Sequence, residues 1–128
     1  MDYKMNNEFC RGDIWFFDPE PTRGREQKKP RPCLILSVDT YNNGPADLLI
    51  IIPITSQNKS IPCHIEIKAA GLTQVSYAMC DQIRCISKER ITNIKIPTKA
   101  PVRIATVGKK TLDEVERCLK VLLGFNSL

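Results

Sequence analysis

The chain has one histidine, His64, among its 128 residues. It cannot supply a two-histidine acid–base mechanism, although imidazole is the usual proton carrier near neutral pH. No G-x-S-x-G, Walker loop or H-E-x-x-H is present, so conventional hydrolase and nucleotide-binding signatures are missing. The six cysteines (Cys10, Cys33, Cys63, Cys80, Cys85 and Cys118) include no C-x-x-C. Zinc-site spacing is absent, and neither a metal nor a cofactor is expected. Most of these cysteines lie in apolar stretches and are expected as buried free thiols. Apolar runs are short. Leu48–Ile52 is a run of five, against about 20 residues for a membrane span. Met1 to Glu8 is polar rather than a leader-like apolar segment, so a cytoplasmic protein with no membrane partner is expected. There is no internal repeat and no low-complexity linker.

What is present suits one soluble domain: 42% apolar and 26% charged residues. The net charge of +5 favours a polyanionic partner. Its distribution is uneven. Arg23, Arg25, Lys28, Lys29 and Arg31 stand against the lone acid Glu26, so this stretch holds five positive charges less one, or +4 of the total.

Strand signals dominate the first two-thirds. Ile14–Phe17 is a bulky β-prone run after the turn-like Arg11-Gly12-Asp13. Asp18–Pro32 holds four prolines and reads as a long loop, a length that often carries function. Cys33–Ser37 resumes a strand, Tyr41–Pro45 is a turn, and Leu48–Ile54 is continuous enough to be buried on both faces. Thr55–Ser60 reads as a loop and His64–Lys68 as an alternating strand. Tyr77–Arg84 and the shorter Ile104–Val107 are further strand candidates, whereas Ile91–Pro101 fits either a short strand or an irregular excursion. Thr111-Leu112-Asp113-Glu114 has the pattern of a capping box opening a helix. Leu112, Val115, Leu119 and Leu122 make its apolar stripe, Glu116 and Lys120 an i,i+4 pair, and Gly124 a stop. The expected fold is mainly β with a C-terminal α-helix: a small antiparallel barrel or curled sheet with the helix packed on it.

The basic loop is the chemical candidate. It ends where the chain enters a buried strand, and Pro30 and Pro32 bracket Arg31 and limit its backbone freedom. A preorganised guanidinium matches a phosphate well. The polar cluster Thr55-Ser56-Gln57 follows the other buried strand and could line the same groove. His64 is expected to be structural, and Trp15 to be core rather than a stacking platform.

Five segments, in this order and spacing, resemble the MazF/PemK toxin family. They are Arg11-Gly12-Asp13-Ile14-Trp15, Pro21-Thr22-Arg23-Gly24-Arg25-Glu26-Gln27, Arg31-Pro32-Cys33-Leu34-Ile35-Leu36-Ser37, Pro53-Ile54-Thr55-Ser56 and Cys80-Asp81-Gln82-Ile83-Arg84. The resemblance implies an SH3-like barrel in a single domain over residues 1–128, assembled as a symmetric homodimer. It also implies metal-independent cleavage of single-stranded RNA by attack of the ribose 2′-OH, and an acidic antitoxin whose flexible tail occupies the RNA groove. On the motif match, Arg31 and Thr55 fall at catalytic positions and Glu26 at a loop position near the scissile site, where it is a candidate catalytic base if it reaches the 2′-OH and otherwise an ion-pair partner for a loop cation. Arg25, Gln27, Lys28, Ser56, Gln57, Asp81, Gln82 and Arg84 fall where substrate would bind. Two positions depart from some members: Arg25 stands where they carry histidine, and Met79 where they carry arginine. Asn93–Ala100 reads as an insertion.

Two other functions fit the same barrel. One is a non-catalytic toxin that binds DNA gyrase through its C-terminal helix, as the CcdB-like poisons do. The other is a plain nucleic-acid-binding barrel, which would bind with steep salt dependence and leave the strand intact.

Overall fold

The computed structural model describes residues 8–19, 30–93 and 100–125. Eight strands form one antiparallel sheet: β1 (Asp13–Phe17), β2 (Arg31–Ile35), β3 (Leu48–Thr55), β4 (His64–Ile67), β5 (Ser76–Met79), β6 (Arg84–Ser87), β7 (Ile91–Thr92) and β8 (Ala105–Thr106). Among the described residues, a short α1 (Asp39–Asn42) and a long α2 (Lys109–Leu123) complete the regular elements, with 3₁₀ turns at Cys80–Gln82 and Lys88–Arg90. The path through the sheet is β4-β5-β3-β2-β1-β7, with β6 added on β3 and β8 on β1. The sheet curls into a half-barrel against which α2 packs, the mainly-β architecture with a terminal helix that the pattern implied.

The centre of this sheet is buried on both faces, which explains the unbroken apolar run in β3. Ile14, Leu34, Ile52 and Ile54 point into one core, which α2 closes with Val115 and the partly buried Leu112 and Leu119. Their strand neighbours Trp15, Cys33, Ile35, Leu49 and Ile51 point into a second core with Phe9, Phe17, Ile86 and Ile91. Period two along the strands deals alternate residues to opposite faces, and neither face is wet. Trp15 is buried edge-on to Phe9, with ring centroids 4.7 Å apart, so it is core as expected.

Two elements differ from the sequence reading. Tyr77–Arg84 is not one strand: it breaks at the 3₁₀ turn Cys80–Gln82 into β5 and β6. The cause lies in β3. That strand pairs β6 through Leu48–Ile51 and β5 through Ile54 and Thr55. Pro53, which has no N–H to offer, sits in the gap between the two partners, so the exchange there orphans no proline donor. The helix also starts earlier than the capping box suggests. Gly108 is the N-cap, and Thr111 is the third helical residue, with no side-chain cap bond. Lys109 adds the extra turn and holds Asp113 at 2.8 Å.

The helix ends as expected. Gly124 takes the left-handed conformation (φ 78°), and the Phe125 N–H donates to the Lys120 carbonyl at 2.8 Å. Glu116 and Lys120 pair at 3.2 Å, while Leu122 at the end of the expected stripe is exposed. The Tyr41–Pro45 turn includes the end of α1, and β2 runs Arg31–Ile35 rather than Cys33–Ser37. The ambiguous stretch contributes β7, and residues 94–99 of the expected insertion lie outside the described residues.

Candidate functional site

β2 and β3 are hydrogen-bonded neighbours with Cys33 opposite Pro53, Leu34 opposite Ile52 and Ile35 opposite Ile51. Continued by two residues, this register sets Arg31 opposite Thr55. Both residues line an open groove of about 890 Å³. Its walls come from Phe16 of β1, the Thr55–Lys59 segment after β3, the connection before β5, and Gln82 of the 3₁₀ turn. The end of a sheet thus meets three connectors, and the strand ends deliver the polar groups that the buried strands could not carry.

Local geometry leaves these groups available. Arg31 is exposed, and its backbone is held by pairing with Phe17. Among the described residues its guanidinium has no ion-pair partner. Thr55 Oγ1 accepts the Gln57 N–H at 3.2 Å, which leaves its own hydroxyl proton free to donate into the groove. Gly71 lines the wall at φ 103°, and a Cβ there would stand 2.4 Å from the Ile104 carbonyl oxygen. Only glycine lets the chain pass at that point.

The structure brings together Arg31, Thr55, Ser56, Gln57 and Gln82. It does not bring Asp81 or Arg84 to this lining. Asp81 lies 3.5 Å from Nε2 of the buried His64, and the Arg84 guanidinium stands 6.0 Å over the Phe17 ring. Arg25, Glu26, Gln27 and Lys28 lie outside the described residues. The expected structural histidine, His64, lies outside the groove. Its Nδ1 is buried with no hydrogen-bond partner among the described residues. The lining also contains Lys59, Thr73 and Gln74, which the motif reading missed. Lys59 was within reach of that reading, since it lies in the same polar loop as Thr55. Gln74 carried no signal beyond its place in a polar turn.

Among the described lining residues the basic side chains are Arg31 and Lys59. With the amides and hydroxyls beside them, they offer donors to phosphate oxygens and both donors and acceptors to base edges. The thiols do not contribute. Cys33 is buried and its thiol is pushed up to about 12 by desolvation. Cys80 is fully buried. Cys10, Cys63 and Cys118 are half-buried and Cys85 is exposed, so the expectation of buried thiols holds fully only for Cys33 and Cys80.

A curled antiparallel sheet that presents an arginine and a hydroxyl side by side over an open cationic groove defines a small barrel suited to a phosphodiester strand. Comparison with known proteins narrows this class. Residues 10–123 match the family described as "PemK-like, MazF-like toxin of type II toxin-antitoxin system", and the chain belongs to that family. It is 31% identical over 117 residues to the endoribonuclease EndoA of Bacillus subtilis, covering 89% of this chain and 93% of that one. It is 29% identical over 120 residues to the endoribonuclease MazF of Staphylococcus epidermidis, covering 91% and 92%. Among solved structures, the MazE–MazF crystal structure from Deinococcus radiodurans superposes with a TM-score of 0.74 at 27% identity, over 98% of this chain and 100% of that one.

Proposed function

We propose that this chain is the toxin of a type II toxin–antitoxin pair, a cytoplasmic homodimer that cuts single-stranded RNA at short sequences without a metal ion. The supporting observation is the placement of Arg31 and Thr55 on one groove, at the opposed ends of adjacent strands. RNA carries its own nucleophile. The ribose 2′-OH attacks the adjacent phosphorus and the 5′-oxygen leaves, giving a 2′,3′-cyclic phosphate and a 5′-OH end. Negative charge grows on the phosphoryl oxygens, and the planar Arg31 fork with the Thr55 hydroxyl is placed to meet it. Arginine stays protonated and cannot take the 2′-OH proton. We assign that step to Glu26 on the motif match alone. Relatives are described in complex with MazE. By charge, an acidic antitoxin segment suits the same groove and would compete with RNA for it.

The test is digestion of a long defined RNA by the pure protein in EDTA, read by primer extension. Discrete cuts with 5′-OH ends are expected. An intact RNA that is nonetheless bound, with steep salt dependence, would leave only a binding barrel.

Base choice belongs to the amides. Gln57, Gln74 and Gln82 come from three separate connectors and converge on this lining. A carboxamide both donates and accepts, so it can read the edge of a splayed single-stranded base. Gln74→Ala and Gln82→Ala are each expected to relax the preference at one nucleotide near the cut, while total cleavage of a mixed RNA falls less than about tenfold, the cost of one or two hydrogen bonds. An unchanged cut pattern across all sites would remove these two side chains from base reading.

A further inference from the structure

Away from the groove, three thiols from three elements meet beside α2. Cys63 precedes β4, Cys80 opens the 3₁₀ turn, and Cys118 lies on the helix. The Cys80 N–H donates to the Cys63 carbonyl at 3.0 Å. Cys63 and Cys118 pack against the cluster that contains Cys80, and both line a second, mostly apolar cleft of about 450 Å³ with Pro62, Ile65 and Val121. The helix that carries Cys118 lies directly against the turn that Cys80 opens. Burial, reinforced by Cys118, pushes the Cys80 thiol up. Burial, Asp81 and Cys118 push Cys63 up. A disulfide between two of these thiols removes two ionisable groups from the cluster at once. Among the described residues no group of three or more histidine, cysteine, aspartate or glutamate side chains could hold a metal ion, so oxidation fits this cluster better than metal binding.

We propose that Cys118 and Cys80 form a redox site: Cys118 is the entry thiol for a low-molecular-weight disulfide, and Cys80 is the resolving thiol. Cys118, having lost its proton to solvent, attacks one sulfur of the small disulfide and expels one thiolate. Cys80 then loses its proton and attacks the Cys118 sulfur of the mixed disulfide, which expels the second. The protein gives up two electrons and two protons, and the small disulfide becomes two thiols. The apolar cleft admits the reagent to Cys118, while the buried Cys80 meets only the intermediate. The new bond ties α2 to the turn that carries Gln82 into the groove. A pull on that turn reaches the RNA site, a consequence that rests on the nuclease reading.

The full chain, in a Cys85→Ser background because Cys85 is exposed, is equilibrated with graded mixtures of oxidised and reduced glutathione and quenched in acid. Alkylation, intact mass and peptide mapping follow. The expected product lacks the mass of two hydrogens and contains a Cys80–Cys118 cross-link. It forms equally in Cys63→Ser and not in Cys118→Ser. Its melting temperature rises by several degrees, its cleavage rate falls several-fold, and dithiothreitol reverses both. A stable glutathione adduct with no internal link, or a link between Cys118 and Cys63, overturns the assignment. An RNA left whole by the reduced protein would fault the nuclease reading alone, because the cross-link is scored without RNA.

Discussion

Arg31→Ala is expected to slow RNA cleavage by about 10²–10³-fold, the usual cost of removing one preorganised donor from a developing anion. The guanidinium stands at the first residue of β2, where pairing to Phe17 and the flanking Pro30 and Pro32 restrain its backbone. None of that backbone restraint depends on the side chain. The side chain itself is exposed, so its loss should change stability by no more than about 0.5 kcal/mol. Thermal melting and single-turnover cleavage of a short RNA, measured on the same preparation, separate the two effects. Arg31→Lys keeps the charge but loses the planar fork, and is expected to fall between the alanine variant and the parent. Cleavage by the alanine variant at the parent's rate would show that the transition-state charge is met elsewhere.

Ile52→Ala is expected to act in the opposite sense, on the scaffold rather than the chemistry. Ile52 is completely buried at the middle of β3, opposite Leu34, in the core that Val115 of α2 closes. Truncating it removes transfer free energy and leaves a cavity, for about 2–5 kcal/mol. A domain of this size holds roughly 5–15 kcal/mol in all, so the urea midpoint should fall steeply with little change in slope. Under conditions where the variant is still folded, its cleavage should be near that of the parent. A loss of less than about 1 kcal/mol would mean that the half-barrel collapses around the gap more readily than close packing suggests.

What was legible in the chain follows from the range of the forces involved. The first three strands announce themselves as β-prone apolar runs and α2 through its apolar stripe, because each of these signals lies within a few neighbouring positions of the chain. The break at Cys80 does not. It arises because β3 changes partner around Pro53, some thirty residues earlier, and nothing near Cys80 records that exchange. The start of α2 was misread for a smaller reason. Thr111 has the right chemistry for a cap, but Gly108 and Lys109 prolong the helix by one turn. The site divides the same way. Arg31 and Thr55 were named from motif and placement, but their opposition is a property of the β2–β3 register. Gln82 reaches the groove while its neighbour Asp81 turns toward His64. A single residue step on a tight turn reverses direction, and no one-dimensional pattern says which way.

The groove is assembled from two kinds of backbone. The two groups placed to meet the phosphoryl charge sit on paired strands, at Arg31 and Thr55, while the amides at Gln57, Gln74 and Gln82 sit on connectors. Connectors tolerate replacement, insertion and drift far better than a ladder does. A lineage built on this plan can rewrite which short word of RNA it attacks one connector at a time, and at each step still inherit a working blade.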